Sequence, residues 1–293
     1  MSSPQARALA HVAARATGGP APGDLRITLH FHPDRLIGET PILAAMRADG
    51  VYRSQFETGT GNGGRTAYPG GDRWRWESRI FGAAYDHAPA AHRPKYGSLN
   101  LHRRGIGGSP RFGSAHLRLT ADTLRRATFS YPDSYAEPEQ FGVAAQCSPL
   151  IDAAVADDAD LLDDYVEAQV HGVLRVDRDV EALMLDPCYR DTEIAELAEL
   201  LPCPVEWHSG FRLSVARLRE YPEFRGERYV RLGESLAVDG WLDPRLIGEA
   251  ARSGNHDEQD LRRVWHYVAR FGADPAAWRP VSTNDGLRSR ESC

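Results

Sequence analysis

Two short runs in this 293-residue sequence place reactive side chains at strand spacing. The first is Leu29-His30-Phe31-His32-Pro33-Asp34. Two histidines two apart on a strand point to the same face. Such a pair either begins a metal site, as in a metal-dependent hydrolase, or lines a cleft as two polar groups. A metal would need further ligands, and no histidine elsewhere stands in an HExxH-type second half. The second run is Tyr165-Val-Glu167-Ala-Gln169-Val-His171-Gly172. Here Tyr165, Glu167, Gln169 and His171 share one face, and Val166, Ala168 and Val170 share the other. Burying four polar groups side by side is costly. That face is therefore either solvated or part of a site, while its reverse packs on a core.

Two weaker signals accompany these runs. Glu57-Thr-Gly-Thr-Gly-Asn-Gly-Gly64 is either a surface loop or a phosphate cradle, with amides such as those of Gly61 and Gly63 turned to an anion. Arg53, Arg65 and Arg73 flank it, with Arg75 close behind. Thr128-Phe-Ser130 followed by Asp133-Ser134 reads first as strand and turn chemistry. Ser130 lacks the setting of a nucleophile elbow.

The elements that must position these groups can be read from periodicity. Strands are expected at 27–32, 96–101, 112–119, 127–130, 163–172 and 180–185. A helix is expected from Asp34 to Gly50, a long loop over 51–71, and either a strand or a helix from Arg73. Helices are expected at 192–201, 214–220, 244–253 and 258–271. Strands thus fill 25–187 and helices the remainder, which gives an α+β class rather than alternating βαβ units. The divisions are an N-terminal extension (1–24, a short helix and then a flexible joint at Gly18–Gly23), an α+β domain (25–187), a helical region (188–280) and a loose tail (281–293).

Composition narrows the function. Thirty-five basic against 41 acidic residues leave a net charge of −6, which argues against non-specific coating of nucleic acid. Lys95 is the one lysine, so positive charge is almost all arginine, suited to planar two-point binding of phosphate and carboxylate. Four widely spaced cysteines form no CxxC, and reduced thiols in a cytoplasmic protein are expected. No run is apolar enough for a membrane helix. Neither GxGxxG nor GxxxxGK[ST] occurs.

Taken in order, the runs resemble the motifs of ADP-ribosyltransferases, closest to the DNA-modifying toxin branch. His30-Phe-His32 with a helix ending at Gly50 resembles that opening, although the branch usually has Thr where His32 stands. Lys95-Tyr96-Gly-Ser98 resembles the second motif. The 116–134 segment resembles the following strand-turn-strand. Glu167-Ala-Gln-Val with 179–185 resembles a carboxylate strand paired with a closing strand. The chain also looks like the bacterial family catalogued as domain of unknown function 3626, which shares the EAQ-[VI]-HG run.

The transferase resemblance implies a split antiparallel sheet and NAD as co-substrate. The ADP-ribose acceptor would be an unidentified protein, nucleic acid or small molecule. It implies that His30 holds the adenosine-side ribose and that Tyr96 stacks on nicotinamide. Glu167 would bind the nicotinamide-ribose 2′-hydroxyl and stabilise an oxocarbenium-like transition state. The 57–64 loop would cover the diphosphate, with Arg53 or Arg65 as counter-charge, and Ser130 would face the cofactor. The usual Gln/Glu-x-Glu order is here Glu167-x-Gln169, so a Gln169 in the catalytic position would imply a non-catalytic nucleotide-binding protein. A two-residue shift preserves facing and favours Glu167.

Overall fold

Alternation of polar and apolar residues builds the strands. The computed structural model describes residues 2–59 and 66–279. Gly61, Gly63, Arg65 and the 281–293 tail lie outside the described residues. The main sheet contains β1 (Ile27–Phe31), β2 (Lys95–Leu99), β3 (Ala115–Leu119), β4 (Ala127–Ser130), β5 (Phe141–Val143), β6 (Val166–Val170), β7 (Val180–Leu185) and β8 (Val205–Trp207). Their order across the sheet is β8-β7-β3-β1-β2-β6-β4-β5. All neighbours are antiparallel except β7 and β8, which run parallel. This is an α+β fold with a mixed, mostly antiparallel sheet.

One face of the sheet is apolar. Ile27, Leu29 and Phe31 from β1, Leu117 from β3, Phe129 from β4 and Ala168 from β6 are all buried there. Helices α2 (Ile42–Asp49), α4 (Ser148–Ala156) and α5 (Glu193–Glu199) cover them with Leu43, Met46, Leu150 and Ala198. The opposite face meets α3 (Asp72–Ile80), and the 110–112 turn beside β1 carries α8 (Glu258–Phe271), on which α6 (Glu227–Leu236) and α7 (Pro244–Arg252) pack. Helix α8 has a clear local cause. Asp257 caps it through the amides of Gln259 and Asp260, and Leu261, Val264, Trp265 and Val268 form its buried stripe.

Several expectations need correction. The helix expected from Asp34 begins only at Ile42. Residues 36–37 and 40–41 pair as a small hairpin, and Pro41 sets the helix start. Gly50, in the left-handed region at φ 66°, ends it as expected. The segment from Arg73 is helical throughout α3. The loop expected at 51–71 contains a strand, Val51–Tyr52, paired with Leu174–Arg175, and a single turn at Gln55–Thr58.

The closing strand β7 pairs with β3, not with the Glu167 strand β6, which lies between β2 and β4. The sheet crosses the expected boundary at 187, because β8 extends it from the helical region. The N-terminal residues are built in. Helix α1 (Pro4–Ala13) buries Ala8 and Val12 with Trp76, Phe81 and Tyr85. The joint after it is tied down: Gly19 N–H donates to Ser148 Oγ, and its carbonyl accepts from Cys147 N–H. No helix among the described residues is long and apolar enough to cross a membrane.

Candidate active site

Strand register sets the site. Thr28, Ser98, Glu167 and Ser130 stand level across β1, β2, β6 and β4. One step along, Tyr96, Gln169 and Thr128 form a second level row. Side chains two apart share a face, so both rows lie on the face opposite the apolar core. That face is buried nonetheless: Glu167 is 6 % exposed and Gln169 0 %.

Burial is tolerable because the polar atoms satisfy one another. Glu167 Oε2 accepts from Ser134 Oγ (2.9 Å) and Ser134 N–H (3.3 Å), and Oε1 accepts from Gln169 Nε2 (2.9 Å). Gln169 Nε2 also donates to Ser130 Oγ at 3.2 Å, and its carbonyl accepts from Thr128 at 2.7 Å. Gln169 is thus saturated as the residue that orients Glu167. Burial raises the Glu167 pKa above the ordinary carboxylate range, against the pull of the Arg73 guanidinium.

Helix α3 closes the site. Arg73 donates to Ser134 Oγ at 2.9 Å and lies 4.0 Å over the Tyr96 ring. Burial works against its charge, but Tyr96, Glu167 and Glu77 outweigh that and hold its pKa up. Tyr96 donates to Glu77 Oε1 at 2.9 Å, and Glu77 pairs with Arg93 at 2.5 Å. Glu77 is fully buried, which pushes its pKa up to about 7 although Arg93 opposes the shift. On the other side, Thr128 contacts His171 Nε2 at 3.0 Å, and Tyr85 contacts His171 Nδ1 at 2.6 Å. Chemically, this is a carboxylate held in one orientation beside a phenol and a guanidinium. It can stabilise a developing cation or accept a proton.

The pattern described as "Protein of unknown function (DUF3626)" matches residues 26–159 and 143–270, running from the start of the sheet into α8. The chain belongs to the DUF3626 family. No curated protein matches it.

Of the remaining expected residues of this DUF3626 chain, His30 alone joins this face, and His32 and Arg53 lie apart. His30 shares the polar face, but its ring is enclosed: Nδ1 meets the Gly113 carbonyl at 3.0 Å, and Ser109 N–H approaches Nε2 at 3.4 Å. It stacks on His116 at 4.8 Å. Gly107 lies over it at φ 84°, where a Cβ would come within 2.2 Å of Nε2. His32 departs from this cluster and meets Trp265 edge-on at 5.1 Å. Among the described residues no three His, Cys, Asp or Glu side chains are placed to hold a metal ion. Arg53, expected as a phosphate counter-charge, forks instead onto Asp49 at 2.7 and 2.9 Å, the i−4 carboxylate at the end of α2.

Residues that sequence reasoning missed are Glu77, Arg93 and the inward role of Arg73. The signal was present in the i, i+4 spacing of Arg73 and Glu77, which puts both on one side of a helix. A strand would also put the two on one face; what the sequence did not show is that this side turns inward onto Tyr96 and Arg93. A surface hollow of about 300 Å³, lined by Arg15, Ile80, Phe141 and Leu150 among others, shares no lining residue with the Glu167 network.

Proposed function

We propose that this DUF3626 protein is an NAD-dependent ADP-ribosyltransferase-like enzyme with Glu167 as its transition-state carboxylate. The observation that carries this reading is the placement of His30, Tyr96 and Glu167 on one face of three consecutive strands, β1, β2 and β6. Adjacent strands lie about 4.8 Å apart, so β1 and β6 are about 10 Å apart, within reach of one dinucleotide. The transferase-like division of the sheet belongs to the proposal as well.

In this reading the bond from the ribose anomeric carbon to nicotinamide breaks, and nicotinamide departs neutral with the bonding electrons. The acceptor's nucleophile forms the new bond and gives up its proton. Glu167 accepts from the ribose 2′-hydroxyl and faces the positive charge that develops between the two events. Gln169 and Ser134 keep it pointed there. Tyr96 offers its ring to nicotinamide once Arg73 moves off it, so α3 must shift for the substrate to enter.

Incubation with NAD labelled in the ADP-ribose moiety tests the proposal. Nicotinamide release or a labelled acceptor is expected, and Glu167→Gln should abolish either. NAD turnover that survives this substitution would overturn the assignment. A second reading draws on the full hydrogen bonding of Glu167 in a closed site: a nucleotide-binding protein without catalysis. NAD binding with no turnover, equal in the wild type and Glu167→Gln, would favour it.

A further inference from the structure

Helix α8 carries Glu258, Arg262 and His266 at successive i, i+4 positions, with the exposed Arg263 beside them. Three other segments bring arginines to the same stripe. Arg225 donates from Nε to His266 Nδ1 at 3.1 Å. The 110–111 turn is fastened to the helix by Trp265 Nε1–H, which meets the carbonyls of Pro110 and Arg111 at 3.0 and 3.1 Å, and this holds Arg111 alongside. Arg35 reaches Glu258 at 3.5 Å.

The acidic groups described around this cluster are engaged elsewhere or shared. Asp163 pairs with Arg111, and Glu258 is shared with Arg35. Asp160 is held by Arg270 at 2.7 Å, and Asp260, on α8 itself, pairs with Arg228. Neither Arg225 nor Arg263 makes an ion pair with any described residue.

His266 points to what is missing. It is 2 % exposed, and its Nε2 has no hydrogen-bond partner. Because Nδ1 accepts from Arg225, the neutral ring carries its proton on Nε2. A buried N–H donor ringed by guanidinium groups lacks only an acceptor, and leaving it unmade costs free energy. Burial first, and then Arg111, Arg225, Arg263 and Arg262, keep this histidine neutral, with a pKa lowered to about 2. An anion with oxygens on several sides meets all these needs at once. Phosphate does so better than a carboxylate, since its oxygens can each take a guanidinium fork.

We propose that Arg225, Arg263, Arg111 and the Nε2–H of His266 form a binding site for a small phosphate-bearing ligand. The site adjoins the Glu167 strand: Phe112, next to Arg111, packs edge-on against Tyr165 at 5.6 Å. It does not depend on the transferase reading.

The test uses the full chain, with sodium pyrophosphate and ADP as probes at constant ionic strength set by chloride. Titration calorimetry should show saturable binding of at least one probe, and melting should shift upward with it. Equal affinities would identify inorganic phosphate groups as the recognised unit, and tighter ADP binding a nucleotide; either supports the site. Arg263→Gln, an exposed position that folding tolerates, and Arg225→Gln should each weaken binding at least tenfold. Glu167→Gln should leave it unchanged, which separates this site from the transferase proposal. The proposal is overturned if pyrophosphate and ADP act no more strongly than chloride, or if both arginine variants bind as the wild type does. It is also overturned if only a single-stranded oligonucleotide binds, since that would make the surface a nucleic-acid track.

Discussion

The two faces of the central sheet are equally dry and entirely different. On β1 alone, Ile27, Leu29 and Phe31 pack into the apolar core while Thr28 and His30 point into a polar layer that is just as buried. The apolar face is held by burial that asks for no direction. The polar face contributes only if each group finds its partner. A sequence that keeps such a layer has accepted a demanding solution where an apolar one would serve for stability alone, and sites are where such exceptions are expected.

This contrast can be tested face by face. Phe129→Ala on the apolar face should cost about 3–5 kcal/mol in urea unfolding through the cavity it leaves. Arg93→Ala beneath the polar layer should cost a similar amount, because it strands the Glu77 carboxylate without its partner. A loss below about 1 kcal/mol for Arg93→Ala would mean that water reaches Glu77 and that the layer is open. Gln169→Leu preserves volume but leaves Glu167 Oε1, Ser130 and Thr128 short of partners. Its cost should be about 1–3 kcal/mol, and a neutral result would show the network to be dispensable.

The fourth test is pH. Burial lowers the pKa of His30, His32 and His171 to about 3, and it lowers those of His116, His208 and His266 as well. Below 6.5 the unfolded chain takes up protons that these six cannot accept when folded. The stability they confer is therefore complete above pH 6.5 and is lost as pH falls toward their folded values. Asp34, Glu77, Glu167 and Asp186 act in the opposite sense, since burial raises their pKa values; Glu77, for example, favours folding below its unfolded 4.5 and loses that effect as pH rises through 7. The histidines outnumber these carboxylates, so the melting temperature should fall between pH 6.5 and 4.5. His171→Gln should flatten that slope by about 1.4 kcal/mol per pH unit. An unchanged slope would place His171 in contact with water.

The smallest stability effect is expected from Glu167→Gln, within about 1 kcal/mol of the wild type, because it removes a charge that burial already disfavours. A large destabilisation would mark Glu167 as a structural keystone and weaken its assignment as a reacting group.

Legibility in the sequence followed the same division. Strands β1, β3, β4, β6 and β7 were readable because alternation between two buried faces leaves a period of two. The shared facing of Glu167, Gln169 and His171 followed from that period. What covers them did not, since α3 begins in the ambiguous Arg-Trp-Arg-Trp run and its choice of helix is made by burial of Trp76 and Ile80 against α1. Strand β8 was missed because three residues carry no usable period. Its place comes from β7, to which Val205–Trp207 bond in parallel. Helix α6 was missed for a different reason: its buried positions, Val230 and Gly233, are few and include a glycine.

The brevity of β8 has a consequence for how copies of the chain meet. Both outermost strands of the sheet, β5 and β8, are three residues long. A strand this short offers an incoming chain little backbone to pair with, which is one way that sheet proteins avoid joining edge to edge. Side chains reinforce the barrier at β8, where Glu206 is forked by Arg118 and Trp207 lies 4.3 Å beneath Arg190. Charge and bulk thus stand where a neighbour's strand would have to dock, and the sheet can be wide without propagating beyond its own chain.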